Sequence, residues 1–147
     1  MGLYFRLGKS IGGPMNKAQF IFSAIGGVIV STLGGADTLL KVFITIIFLD
    51  IATGVLKSLY EGNYSSQKFR RGLYGKMAYF IAIILVVQLD QLTGNSGMFR
   101  SVLVTFLVCN EMISIIENLG ILGVPFPKVI VTAIEVLKNK NDQEQKG

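Results

Sequence analysis

Apolar and polar positions alternate along this chain on the scale of whole helices. The longest uncharged run is AQFIFSAIGGVIVSTLGGA, the 19 residues from Ala18 to Ala36. A helix of about 20 residues spans a hydrocarbon core of about 30 Å, so the run is long enough. A second apolar run, VFITIIFL, reaches Asp50 and continues as IATGVL to Leu56. A third, MAYFIAIILVVQL, covers Met77 to Leu89 and must borrow its flanks to span. A fourth, SVLVTFLVCN, meets Glu111 and continues as MISII to Ile116. The pattern predicts four transmembrane helices, at 18–36, 39–58, 74–92 and 99–119, with three as the alternative.

Past Leu119 the punctuation changes. Gly120, Gly123, Pro125 and Pro127 break the helix. In KVIVTAIEVL, Lys128, Thr132 and Glu135 recur at helical spacing among apolar residues. This predicts an amphipathic helix over about 127–139, lying along the membrane interface, then a polar tail, 141–147. The expected fold class is an all-α integral membrane protein, one membrane domain over 1–140.

Composition agrees. Only 16% of the residues are charged, 51% are apolar and the mean hydropathy is +0.57. A soluble domain carries about 25% charged residues, and this chain could not cover a soluble surface. The single cysteine, Cys109, precludes an intrachain disulfide, and there is no histidine. Imidazole acid–base chemistry, histidine-assisted nucleophiles and histidine metal sites are therefore excluded. No cofactor is expected.

Charge placement sets the expected topology. With four spans, twelve of the 14 basic residues fall on one side and two on the other. The rich side holds Arg6, Lys9 and Lys17, the 57–76 segment and the C-terminal lysines. Cytoplasmic loops carry the Lys and Arg excess, so both termini are expected in the cytoplasm. A signal peptide ending near Gly34-Gly35-Ala36 is the rival reading of the first helix. The start MGLYFR does not fit the myristoylation pattern. A second start at Met15 would drop Arg6 and Lys9, giving long and short forms, one inhibiting the other.

Several residues invite a role. Ser23, Gly27, Ser31 and Gly35 recur every four positions and form a small-residue face. Such a face favours close helix packing, between subunits or within one. Asp50 lies near the middle of the second helix, with Thr53, Gly54 and Lys57 on its face. A charge at that depth faces a bundle interior or water. It serves a pore-facing or subunit-pairing face, or else pairs with Lys57 or Lys76 for structure alone. Glu111, Ser114 and Asn118 share a face of the fourth helix, with Asn110 and Glu117 beside it. That stripe would line water or join helices. No nucleophile, metal set or phosphate loop accompanies the carboxylates, so an enzyme is not expected. Lys68, Arg70, Arg71 and Lys76 are expected in a cytoplasmic basic loop facing anionic lipid, ahead of a protein partner. Nucleic acid is not an expected partner.

These segments, read together, resemble the toxin-secretion and phage-lysis holin family. The resemblance rests on LDIATGVLKSLYEGNYSSQKFRRGLYGKM, then QLD at Asp90, then NEMISIIENLGILGVPFPKVI. Within these, Asp50-x-x-Thr53-Gly54, the Ser65–Gly72 stretch ending at Lys76, Asn110-Glu111, Ser114-Ile115, Glu117-Asn118 and Gly123-Val124-Pro125-x-Pro127 are most specific. Their order and spacing match from Leu49 to Leu137. The resemblance implies a phage or prophage protein of the bacterial cytoplasmic membrane. Such proteins homo-oligomerise among the lipids and open timed lesions that let endolysin reach the cell wall. It attaches no catalytic role to these residues. On this reading Asp50 and the 110–118 stripe are satisfied internally before triggering and line water afterwards. The alternatives are a holin-like toxin-export factor, and a small ion channel or transporter using Asp50 and Glu111 as ion ligands.

Overall fold

The computed structural model describes residues 16–144 and consists of five helices among them. Arg6, Lys9, Met15 and Lys146, on which parts of the topology reading rest, lie outside the described residues. Helix α1 is Lys17–Thr32, α2 Thr38–Tyr60, α3 Ser66–Thr93, α4 Met98–Ile121 and α5 Lys128–Glu144. Three of them, α2, α3 and α4, are long and apolar enough to cross a membrane.

The boundaries follow from local chemistry. Asn16 starts α1 through a capping box: its side chain accepts from the Gln19 amide at 2.8 Å, and Gln19 Oε1 accepts from the Asn16 amide at 3.0 Å. Asp37 caps α2 by accepting from the Leu40 amide at 2.9 Å. Helix α4 follows Gly97, which has no capping side chain. Asp90, at the end of α3, does that work: its carboxylate accepts from the Phe99 and Arg100 amides at 3.0 and 2.9 Å. The start of α4 is thereby tied to the end of α3.

The first expected span is the one that falls short. Its uncharged run reaches Ala36, but the helix ends at Thr32 because Gly34 and Gly35 take left-handed backbone angles, φ 85° and 100°. Sixteen residues at 1.5 Å rise reach about 24 Å, below the hydrocarbon thickness. The third expected span is the opposite case. The sequence predicts it at 74–92, yet α3 begins at Ser66 and has 28 residues. The 57–76 loop shrinks to residues 61–65, and Lys68, Arg70, Arg71 and Lys76 are helical rather than loop residues. Cationic side chains do not stop a helix whose charges find partners or snorkel to the interface. Arg100 likewise lies inside α4, and the tail expected from 141 is helical through Glu144.

Helix α4 is the centre of the bundle: α2, α3 and α5 all pack against it. The core joins Phe43 and Ile47 of α2, Ile83 and Val87 of α3, and Val104, Leu107 and Val108 of α4. Phe43 meets the Phe80 ring edge-on at 5.6 Å between centroids. Cys109 is buried beside this core. By contrast, no residue of α1 is buried. The outward faces of α2 and α3 carry Phe48, Ile81 and Leu85, each about 70% exposed. In lipid these apolar surfaces are already in their preferred solvent, so burial is not what drives the helices together.

Candidate functional site

Each of the three long helices carries one charged residue near its middle: Asp50 on α2, Lys76 on α3 and Glu111 on α4. The fold brings them together. Lys76 Nζ lies 2.8 Å from Asp50 Oδ2 and also pairs with Glu111 Oε2. One ammonium thus joins three helices. Asn118, one face further along α4, donates from Nδ2 to Thr53 Oγ1 at 3.4 Å and to Asp50 Oδ1 at 3.5 Å. Asp50, Thr53, Glu111 and Asn118 are all buried. Tyr79 flanks the cluster, with Lys76 Nζ 6.0 Å from its ring centroid.

Helical spacing explains the convergence. Asp50 and Thr53 are three apart on α2, and Glu111 and Asn118 seven apart on α4, so each pair presents two polar groups to one neighbour. Gly54, the next residue on that face, has only Asn118 Nδ2 near it, at 3.8 Å from where a Cβ would stand. A charge within lipid needs a partner, and these residues supply it inside one subunit. Asp50 pairs with Lys76, one of the two structural partners expected from sequence, and not with Lys57.

The remaining expected residues distribute differently. Ser114 is half-buried, Asn110 also, and Glu117 is exposed. Ser23, Gly27 and Ser31 are exposed, and Gly35 is half-buried in the turn after α1. Among the described residues, a Cβ at Gly27 would meet nothing within 4 Å, so the helical part of the small-residue face packs against none of them at that point. Lys68, Arg70 and Arg71 point outward on the first turns of α3. Gly123, with φ 86°, makes the turn after α4, and Pro125 and Pro127 follow it before α5.

A second polar cluster at the other end of the bundle was not anticipated. Arg100 is buried at the start of α4. Its Nε donates to the Leu33 carbonyl at 2.6 Å, and its two terminal nitrogens engage the Asp37 carboxylate. Nη2 also reaches the Gly35 carbonyl at 3.5 Å. The Arg100 hydrogen bond holds the Asp37 carboxyl well below the usual range, at about 2, against the opposing effect of desolvation and with lesser help from the Leu40 amide. The signal in the sequence was the nearly charge-free 33–40 stretch with one acid, facing a lone arginine.

Two clefts border these clusters. One, about 330 Å³, lies beside Arg100 and Asp90. The other, about 230 Å³, opens between α2 and α3 next to the 61–65 loop, with Asp50 and Lys76 at its floor. Among the described residues there is no group of three or more acidic, cysteine or histidine residues that could hold a metal ion.

The sequence profile of the bacteriophage holin family matches residues 27–139. The chain belongs to the bacteriophage holin family. A protein of Clostridium perfringens strain 13 is 36% identical over 124 residues, covering 80% of this chain and 92% of its relative. A protein of Listeria innocua is 33% identical over 122 residues, 82% of this chain and 87% of that one. A probable holin of Bacillus phage phi105 is 31% identical over 112 residues, 76% of this chain and 83% of the phage protein. No solved structure matches the chain. The holin profile covers both polar clusters and all three membrane-length helices, and membership points to a non-enzymatic membrane protein.

Proposed function

We propose that this protein oligomerises in the bacterial cytoplasmic membrane and opens timed lesions through which endolysin reaches the cell wall. The observation that carries this reading is the internal pairing of Asp50, Lys76 and Glu111. A subunit whose buried charges are paired with one another inside, and whose outside is apolar, accumulates in lipid without making a leak. One bundle of this size cannot enclose a passage for protein, so a lesion needs many copies. In such an assembly the polar groups of α2, α3 and α4 are the ones available to face water.

The basic residues flanking the 61–65 loop, with α5, favour the cytoplasmic side for that end of the bundle. If α1 crosses a locally thinned bilayer, residue 17 lies on that side as well; if it does not, residue 17 lies opposite. Endolysin needs no direct contact with the subunit. A self-isoform from Met15 would act by mixing into the oligomer.

The test is induced expression in a bacterium while following membrane potential and culture density, with and without a cytoplasmic endolysin that lacks a signal. The expected result is a delay, then sudden depolarisation, with lysis only when endolysin is present. Gradual, ion-selective depolarisation with endolysin still trapped would replace this reading with an ion channel. Lysis-free release of a co-expressed toxin would replace it with an export factor.

A further inference from the structure

The cleft between α2 and α3 is a wedge. At one end Phe43 of α2 packs against Tyr79 and Phe80 of α3. Toward the 61–65 loop a cleft lined by both helices lies between them, while each helix packs against α4. The gap has a volume of about 230 Å³, and no residue of α4 lines it. It therefore opens on the side turned away from α4, where the bundle meets lipid. The α3 wall leaves room: a Cβ at Gly72, which lines the cleft, would meet nothing within 4 Å.

Its chemistry changes along its length. Lys68 and Ser65 stand at the rim, on the first turn of α3. Val55 and Ile51 on one wall face Phe69 and Leu73 on the other. Lys76 closes the floor, eight residues below Lys68, or about 12 Å along the helix. Lys68 makes the rim basic, and the Glu61 carboxylate near it accepts from Asn63 Nδ2 at 3.2 Å; Arg70 and Arg71 stand on α3 outside the lining. A positive rim over an apolar slot complements one kind of molecule available in a bilayer. It matches an anionic headgroup joined to a hydrocarbon chain.

We infer that the α2–α3 cleft is a binding site for one anionic phospholipid, its phosphate held at Lys68 and its acyl chain laid between Val55 and Leu73. The lipid is the missing wall of the bundle. Its chain covers the exposed edge of the Asp50–Lys76 pair and shuts water off from it. Loss of the lipid opens a path from the 61–65 side to the charge cluster. The assignment deepens the proposed function by naming what keeps the resting subunit dry, and it rests on the loop end lying at headgroup height.

The test is purification of the full-length protein in nanodiscs of equal phosphatidylglycerol and phosphatidylcholine with matched chains. Retained lipid is then counted by native mass spectrometry. The expected result is one phosphatidylglycerol retained per subunit, several-fold over phosphatidylcholine. Lys68→Gln removes the preference. Gly72→Leu, which fills the slot without touching a charge, expels lipid of either kind. The double variant Arg70→Gln with Arg71→Gln, off the cleft side of α3, leaves the preference intact. Equal retention of the two lipids, an equal loss in the double variant, retention unchanged by Gly72→Leu, or displacement by excess inorganic phosphate would each overturn the site. None of these readouts depends on lysis, so a failure here is distinct from a failure of the lesion-forming role.

Discussion

Arg100 and Asp37 face each other in a two-point grip: Nη1 is 2.6 Å from Oδ2 and Nη2 is 3.0 Å from Oδ1. The pair joins the start of α4 to the cap of α2, while Nε of the same guanidinium secures the end of α1 at Leu33. Planar, paired recognition of a carboxylate is what guanidinium geometry favours and what a lysine could not reproduce. Arg100→Lys and Arg100→Gln should both loosen the 33–37 turn, with Gln costing roughly 1–3 kcal/mol, mainly by leaving the carbonyl of buried Leu33 unsatisfied. Hydrogen exchange in detergent should rise at residues 33–37 while the α2–α4 core stays protected.

Gly34 offers a second way to break the same grip. A Cβ there would stand 2.6 Å from Arg100 Nε, on backbone at φ 85°. Gly34→Ala should therefore displace the guanidinium and add about 1–2 kcal/mol of left-handed strain. Gly35→Ala carries the strain alone, since nothing lies within 4 Å of its Cβ. Thermal unfolding should rank Gly34→Ala below Gly35→Ala, and only the former should raise exchange at Leu33.

The grip also predicts an acid sensitivity. The Asp37 carboxyl is lowered from 3.8 to about 2 in the folded protein. A depressed carboxyl contributes stability above its unfolded value and loses it as pH falls through the folded one. Stability from this pair should be level above about pH 4 and decline between about pH 4 and 2. In Asp37→Asn that part of the pH dependence should vanish in a melting series across the same window.

At the central cluster the expected asymmetry concerns Lys76. Lys76→Met leaves two carboxylates buried with no cation, and breaking a buried pair costs about 3–5 kcal/mol. Asp50→Asn and Glu111→Gln each leave one carboxylate still paired, so the loss should be smaller. Fluorescence-monitored thermal unfolding should place Lys76→Met lowest. If Asp50→Asn and Glu111→Gln change neither lysis timing nor oligomer size, the cluster has no part in triggering.

The small-residue face of α1 makes a different prediction. Gly27→Leu should leave the subunit fold and melting point unchanged, because no neighbour among the described residues approaches it. Cross-linking in membranes should nevertheless show smaller assemblies, since close approach of a second copy would be blocked.

Much of this architecture was legible along the chain. Runs of apolar residues located α2 and α4 to within two residues at either end, because their ends are set by Asp37, Gly62 and Gly123. Charge is the poorer guide to boundaries in this chain. Lys76 lies ten residues past the start of one continuous helix; the sequence offers Asp50 of α2 as its partner, but spacing within α3 cannot reveal Glu111 of α4 as the second. The reverse error came at Ala36, where lack of charge suggested helix and two glycines with positive φ ended it. Asp50 and Glu111 stand out in the sequence from their depth alone, but whether they face water or a partner is not legible there. That a single ammonium serves both, and that Arg100 reaches back to Leu33 and Asp37, depends on contacts across tens of residues.

Cys109, buried against the core, has a practical corollary. It is the chain's only thiol, and the folded bundle shields it from aqueous maleimide. Cysteines introduced one at a time at Lys17, Asn63, Asn95 and Val129 would then be the sole reactive positions in intact cells. Their labelling from outside or inside would report directly how many times the chain traverses the bilayer, and on which side α1 begins.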